Sequence, residues 1–502
     1  MLKKIRIALA AVMFVGLVLL FLDFTGTLHT WLGWMAKVQF LPAVMALNVG
    51  VIVGLVLLTL VFGRIYCSVV CPLGIMQDVF GWFGKRARKN RYSYSKAVSW
   101  LRYAVLVLFV VAFVLGIGSI VQLLAPYSAF GRIMTALLQP LWMLGNNVLA
   151  SVAERIDSYT FYSVDVWMKS LPVFIVALVT LIVLFVLAWR GGRTYCNTIC
   201  PVGTVLSFFA RFSLFKVRFI EEKCRACSLC TKNCKASCID YKNHKVDYSR
   251  CVVCGDCISK CKFGALNYSL PTKPTKPTQP TQPTQPTESS SRRSFLLASA
   301  MLTTAALAQE KKKVDGGLAI LEKKQAPHRT TPLTPPGSLS AANLAKRCTG
   351  CQLCVSECPN DVLRPHIPSS IFNLQSSFMQ PEMSYERGYC RPECTRCSDV
   401  CPAGAIKPID GIEKSSIQIG HAQWYHWYCL PVTDGVECGN CARHCPTGAI
   451  EMVPLHPTDD LSPMVPSVNE SLCIGCGACE HLCPVRPVSA IQVEGHEVHK
   501  MI

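Results

Sequence analysis

The chain has 29 cysteines in 502 residues, and 24 of them fall into six tight groups of four whose spacing indicates what they could bind. Cys224, Cys227, Cys230 and Cys234 follow C-x2-C-x2-C-x3-C, and Cys251, Cys254, Cys257 and Cys261 repeat it. Cys348, Cys351, Cys354 and Cys358, then Cys473, Cys476, Cys479 and Cys483, repeat it again, followed by Pro359 and Pro484. Cys390, Cys394, Cys397 and Cys401 have one extra residue in the first gap. Cys429, Cys438, Cys441 and Cys445 have an eight-residue first gap. Three thiolates this close wrap three irons of a 4Fe-4S cubane, while the fourth, beyond a turn, reaches the other cluster of a pair. A zinc ribbon instead separates two C-x2-C knuckles widely. The groups therefore point to six 4Fe-4S clusters. In the first pair, Cys224, Cys227, Cys230 and Cys261 would hold one cluster and Cys251, Cys254, Cys257 and Cys234 the other. Cys238 is left over and reads as structural. The other four groups pair either as neighbours or nested, third with sixth and fourth with fifth. The altered gaps of the middle two favour nesting.

Four more cysteines lie in an internal repeat. Gly63-Arg64-Ile65-Tyr66-Cys67-Ser68-Val69-Val70-Cys71-Pro72-Leu73-Gly74 matches Gly192-Arg193-Thr194-Tyr195-Cys196-Asn197-Thr198-Ile199-Cys200-Pro201-Val202-Gly203 at a constant offset of 129 residues. On a helix, cysteines at i and i+4 share a face. Cys67, Cys71, Cys196 and Cys200 could then meet near a pseudo-axis. They are buried structural thiols, redox-active thiols or an additional metal site.

The elements that must position these groups begin with apolar runs at 7–22, 40–62, 103–121 and 171–189. The last three are long enough to cross a bilayer as helices. The first needs its flanks, and no signal-cleavage pattern follows it. Sixteen Lys and Arg in 1–6, 64–96 and 190–223 face four in the opposite loops, which puts the basic side in the cytoplasm. The net charge of +19 is thus a topology signal and a contact with anionic lipid, not a nucleic-acid site. Residues 271–287, with proline every third position, form an extended spacer that could span roughly 50 Å. Ser291-Arg292-Arg293-Ser294-Phe295-Leu296-Leu297 and the apolar run to Ala308 read as a twin-arginine-like export signal, a fifth membrane helix or a surface helix. The first two readings place 310–502 outside the cytoplasm.

The expected fold is an α-helical membrane domain of four spanning helices, with a fifth at 294–308 if that run is an anchor, plus α+β ferredoxin-like polycluster domains. Its parts are a membrane domain at 1–219, a cytoplasmic dicluster domain at 220–268, a linker at 269–290, a signal or anchor at 291–309, and a periplasmic four-cluster domain at 310–502. Hydrophobic residues at 51% exclude a disordered chain. No C-x-x-C-H is present to attach haem, and no Gly-rich fingerprint to bind a nucleotide cofactor. His29 and His426 read as packed or surface residues. The stretch Ala125-Pro126-Tyr127-Ser128-Ala129-Phe130-Gly131-Arg132 is either a turn between helices or the border of a quinol pocket.

Residues 1–268, with their two C-x3-C-P motifs and two clusters, resemble the NapH membrane ferredoxins, and 291–490 resemble the NapG and MauM ferredoxins. The two together look like a natural fusion of a NapH/NapG-type (MauN/MauM-like) pair. The resemblance implies an inner-membrane quinol dehydrogenase subunit that passes electrons from the quinone pool through the clusters to an unidentified periplasmic reductase or cytochrome. The competing reading is an assembly or activation factor that supplies electrons for maturing a metalloenzyme.

Overall fold

The computed structural model describes residues 2–23, 25–88, 92–158, 160–270, 322–367, 377–458 and 462–502. The linker and the 291–308 segment lie outside the described residues.

Four spanning helices are not what the apolar runs form. Among the described residues two helices are long and apolar enough to cross a membrane, Lys3–Leu22 and Leu171–Gly191. A third counts if Gly118–Leu124 and Pro126–Glu154, bent by 77°, make one span. The other runs are broken by backbone features that hydropathy does not register. In 40–62 the helix stops at Met45, Leu47 turns to φ +54°, and Asn48 caps a new helix, Val49–Phe62, by accepting the Val51 N–H at 3.3 Å. That helix is about 21 Å long, short of the roughly 30 Å hydrocarbon core. In 103–121 the helix Ser99–Val114 ends at Gly116, φ +73°, with the Ile117 N–H closing back on the Ala112 carbonyl at 2.8 Å. Pro126 then starts the next helix after the sharp bend at Ala125.

The two long helices run between the two cysteine-rich modules. At the start of Leu2–Leu22, Lys3 pairs with Asp256 at 2.7 Å. Beyond its other end, Gly26 lies against the Arg396 guanidinium. Leu171–Gly191 starts beside Lys169, whose ammonium donates to the Val355 carbonyl at 2.7 Å, and ends where the Arg193 N–H donates to the Lys235 carbonyl at 2.9 Å. About 20 helical residues separate the modules by about 30 Å.

Both modules are α+β. In the first, strand Lys216–Phe219 pairs antiparallel with Leu266–Ser269, and Ile239–Asp240 with Lys245–Val246, around helices Leu229–Lys232 and Asp256–Lys260. In the second, Ile417–Trp424 pairs with Ile491–Met501, Leu363–Pro365 with Pro381–Met383, and Ile450–Pro454 with Met464–Val468. Gly404 and Gly448 take φ of +63° and +64° in the turns that follow Cys401-Pro402 and Cys445-Pro446, bringing Ala405 and Ile450 into the core.

Candidate metal centres

The C-x2-C-x2-C groups share a backbone device. The residues on both sides of the second cysteine are left-handed in all four: Ala226 and Ser228, Val253 and Gly255, Gly350 and Gln352, Gly475 and Gly477. Such reversals turn successive N–H groups inward and make an anion-binding concavity of the kind found at iron–sulfur sites. Amide N–H groups also reach sulfur: Gly350 to Cys348 at 3.4 Å and Ala265 to Cys261 at 3.3 Å. The left-handed backbone is strained for a β-branched Val253 and free for glycine. The fourth group lacks the device, since its extra residue changes the turn; in the fifth, of the two residues beside Cys438 only Gly439 has positive φ.

Cysteines line four cavities, and the linings settle which groups pair. Cys224, Cys227, Cys230 and Cys261 surround one of about 350 Å³. Cys234, Cys251, Cys254 and Cys257 surround another of about 350 Å³. In the second module, Cys358 faces Cys390, Cys394 and Cys397 across about 370 Å³, and Cys483 faces Cys429, Cys438 and Cys441 across about 330 Å³. The remaining cysteines complete the exchange. Cys401 lies within electrostatic reach of Cys348, Cys351 and Cys354, as Cys445 does of Cys473 and Cys476. The third group therefore pairs with the fourth and the fifth with the sixth, and the nested arrangement is not found. Cys238 is not a bystander. It lines the second cavity, its sulfur 3.5 Å from that of Cys234. Among the described residues no three His, Cys, Asp or Glu side chains converge on a single-ion site. Three thiols from one turn with a fourth from the neighbouring group is the ligand set of a paired cubane. His29 is half-buried and His426 exposed, neither in a ligand set.

At the repeats, all four thiols of Cys67, Cys71, Cys196 and Cys200 are 4% exposed. Each lies within electrostatic reach of the other three. The copies are clasped reciprocally by their arginines, both fully buried. Arg64 of the first donates to the Cys196 carbonyl at 3.1 Å and to Asn197 Oδ1 at 3.0 Å in the second. Arg193 of the second donates to the Cys67 carbonyl in the first. The glycines closing each motif make room: a Cβ on Gly74 would stand 3.1 Å from Arg193, and one on Gly203 2.7 Å from Arg64. Gln77 also donates to the Cys196 sulfur at 3.2 Å. Asp78 ties the clasp to its surroundings, accepting from Arg193 at 2.8 Å, Arg6 at 3.1 Å and Lys235 at 3.3 Å. Burial alone would raise the Asp78 carboxyl, but Arg193, Lys235 and Arg6 hold it well below the usual carboxylate range.

Both repeats dock on the dicluster module beside its second cavity. Gly63 (φ +76°) abuts Val253, and Gly192 (φ +68°) abuts the Lys235 carbonyl. From the sequence alone Arg64 and Arg193 count only as topology charges. Their identical place in both copies, Gly-Arg-x-Tyr-Cys, was the signal that could have found the clasp. Ala125–Arg132 proves to be mostly the helix Pro126–Ile133, buried throughout. A cavity of about 470 Å³ lies just beyond it, lined by Thr135, Gln139, Trp167, Lys169, Phe174 and Gln352.

Comparison with known proteins places iron–sulfur families on these segments. The 4Fe-4S binding domain family Fer4_5 matches residues 44–91 and 173–220, which hold the two repeats. The 4Fe-4S dicluster domain family Fer4_7 matches 347–405 and 436–486, the same neighbouring pairs that the cavities join. A second dicluster family, Fer4_8, matches 247–362 and so links the second and third groups across the linker. The cavities do not pair those groups, and the thiol geometry decides the matter. The methylamine utilization ferredoxin-type protein MauM of Methylobacillus flagellatus is 32% identical over 192 residues, 36% of this chain and 76% of that protein. The ferredoxin-type protein NapF of Escherichia coli is 28% identical over 166 residues, 33% of this chain and 87% of NapF. An uncharacterized protein of Methanocaldococcus jannaschii is 26% identical over 226 residues, 43% of this chain and 69% of that one.

Proposed function

The chain belongs to the family of ferredoxin-type, multi-4Fe-4S electron-transfer proteins related to the MauM and NapF systems, and from that premise we propose that it carries electrons from quinol, through six 4Fe-4S clusters, to a reductase outside the cytoplasm. The observation that carries this reading is the placement of the two cysteine-rich modules at opposite ends of the long apolar helices Lys3–Leu22 and Leu171–Gly191. The basic stretches gather at the dicluster end, where Lys3 meets Asp256 and Lys85 meets Asn233, so the positive-inside rule assigns that end to the cytoplasm. The four-cluster module then faces the periplasm.

Bound clusters supply one-electron transfer, and the chain determines where it happens. The thiolates of the six groups hold the clusters, and the inward N–H groups of the left-handed turns stabilise their negative charge. The groove beside Trp167 and Lys169, with apolar walls from Phe174 and Met143 and a few polar groups, is where quinol would approach the four-cluster module. Lys169 there lies within electrostatic reach of Cys354 and Cys358. The test uses anaerobically purified full-length protein, a reduced menaquinol analogue and electron paramagnetic resonance, with dithionite marking full reduction. The reading expects quinol to reduce part of the dithionite-reducible signal. Reduction by dithionite alone would overturn it and favour a factor that supplies electrons for metalloenzyme maturation.

A further inference from the structure

We propose that Cys67, Cys71, Cys196 and Cys200 jointly hold one further iron–sulfur cluster, shared between the two repeats and linking the two ferredoxin modules. The inference deepens the iron–sulfur reading and rests on it. Neither repeat has enough ligands alone. A C-x3-C pair offers two thiols, and the device that wraps three around a cubane elsewhere in the chain is missing from both copies. The clasp supplies what each half lacks, setting two thiols from each copy around one buried centre.

Charge points the same way. Arg64 is fully buried, yet among the described residues no carboxylate lies within ion-pair distance of it. Its partners are carbonyls, an amide oxygen and, at 3.8 Å, the Cys67 sulfur, and its Nε has no partner at all. Arg193 Nη2 is likewise buried and unpartnered. A buried guanidinium without a counter-charge is costly. A four-thiolate cluster is an anion and would supply that charge from between the two arginines. A disulfide would not, because it is neutral.

Position gives the centre its role. On one side Arg64 donates to the Ser249 carbonyl at 3.0 Å, two residues before Cys251, and Gly63 and Gly192 dock on Val253 and Lys235. On the other side the Tyr195 hydroxyl donates to the Leu124 carbonyl at 3.2 Å, at the elbow leading into Pro126–Ile133. From that helix Ser128 donates to the Thr349 carbonyl at 2.5 Å, and Gly131 lies against the Cys351 carbonyl. The centre thus stands between the second cluster site of one module and the Cys348 group of the other. It would accept one electron from a cluster on one side and release one to a cluster on the other, with no bond made or broken and no proton moved.

The experiment measures iron, acid-labile sulfide and zinc on anaerobically purified full-length protein and on C71S, C200S and the double variant. A shared cubane predicts that each single variant loses about four iron and four sulfide, and that the double variant loses no more than either. Unchanged iron, loss of one zinc instead, or a double variant that loses twice as much would each overturn the proposal. The dithionite-reduced resonance of the other six clusters checks folding. Should a serine variant fail to fold, R64Q provides the second test. It should keep all iron while the midpoint potential of one cluster falls, because a nearby positive charge has gone, and R64K should restore it. Potentials identical to wild type in R64Q would count against the site. Full iron with no quinol reduction would instead sink only the quinol reading.

Discussion

Within a C-x2-C-x2-C turn, nearly everything a cluster needs lies in one stretch of chain: three thiols, two left-handed residues and the amides they turn inward. At the C-x3-C-P repeats no single stretch is sufficient. Two thiols come from each copy, each arginine reaches across to the other copy, and the charge balance depends on Asp78, which sits on the helix that the first repeat begins, and on Arg6 and Lys235 from two further segments. The contrast shows where robustness and sensitivity should lie. A local turn tolerates changes elsewhere and fails only when a ligand goes. A site assembled from distant segments can be lost through residues that never touch a thiol.

The largest effects should come from ligands, and one of them tests the exchange between groups. Cys358→Ser should abolish the cluster site that Cys390, Cys394 and Cys397 line, not the one formed by its own neighbours Cys348, Cys351 and Cys354. The measurement is the resonance of the reduced protein, in which about one cluster's intensity should vanish. Loss of a signal that Cys397→Ser leaves intact would break the neighbour pairing.

Next in size is Asp78→Asn, which should harm the clasp and spare the turns. It removes the carboxylate and leaves Arg193, Arg6 and Lys235 facing one another, one of them fully buried. Breaking a buried pair this way costs about 3–5 kcal/mol, seen as a lowered unfolding midpoint in detergent. The same group sets an acid limit. Its folded carboxyl titrates below the ordinary value, so its stabilisation is present above about pH 4 and is lost as pH falls further. Between pH 5 and 8 it should contribute no slope. Asp256, held low by Lys235 and Lys3 against its own desolvation, acts in the same direction.

A smaller effect separates docking from turn-making at two glycines that both have positive φ. Gly264 (φ +64°) has open space where a Cβ would go, so Gly264→Ala should cost only the left-handed penalty of about 1–2 kcal/mol. Gly192 (φ +68°) would place its Cβ 2.5 Å from the Lys235 carbonyl. Gly192→Ala should therefore cost more than Gly264→Ala in the same thermal assay. Equal costs would mean that the repeat does not bear on the dicluster module.

How much of this was legible in the sequence follows the same division. The cysteine groups could be read because their information is local, and the exchange of Cys234 and Cys261 expected from that spacing matches the two cavity linings of the first module. The pairing in the second module could not be read, because altered gaps show that a turn differs and not which turn it faces. Hydropathy found every apolar run but overcounted the spans. Leu47, Gly116 and the Ala125-Pro126 step break helices without lowering the apolar content. Cys238 looked spare because the pattern was already satisfied, and only folding brings it to the wall of the second cavity. Arg64 and Arg193 stood in plain view within the repeat, but a basic residue at the end of an apolar run has a sufficient explanation in topology, so nothing in one chain's spacing asked for a second.

Val253 is where the two kinds of site meet, and changing it gives the smallest and sharpest of these tests. It is left-handed at φ +50° inside the Cys251–Cys257 turn, and its Cγ2 would be 3.0 Å from a Cβ on Gly63. Val253→Gly relieves a strain of about 1–2 kcal/mol in the turn. It also gives up the burial of a valine, worth about 1.5 kcal/mol or slightly more. The two nearly cancel, so the unfolding midpoint should barely move and the iron content should stay whole. Docking should nonetheless loosen, because the gain falls within the turn and the loss falls at its contact with the repeat. Hydrogen exchange would show this as faster amide exchange over 63–71 with unchanged exchange in the 251–257 turn. Were the turn to speed up instead, the valine would be holding the turn, and the division between self-contained turns and an assembled clasp would fail at the one residue that belongs to both.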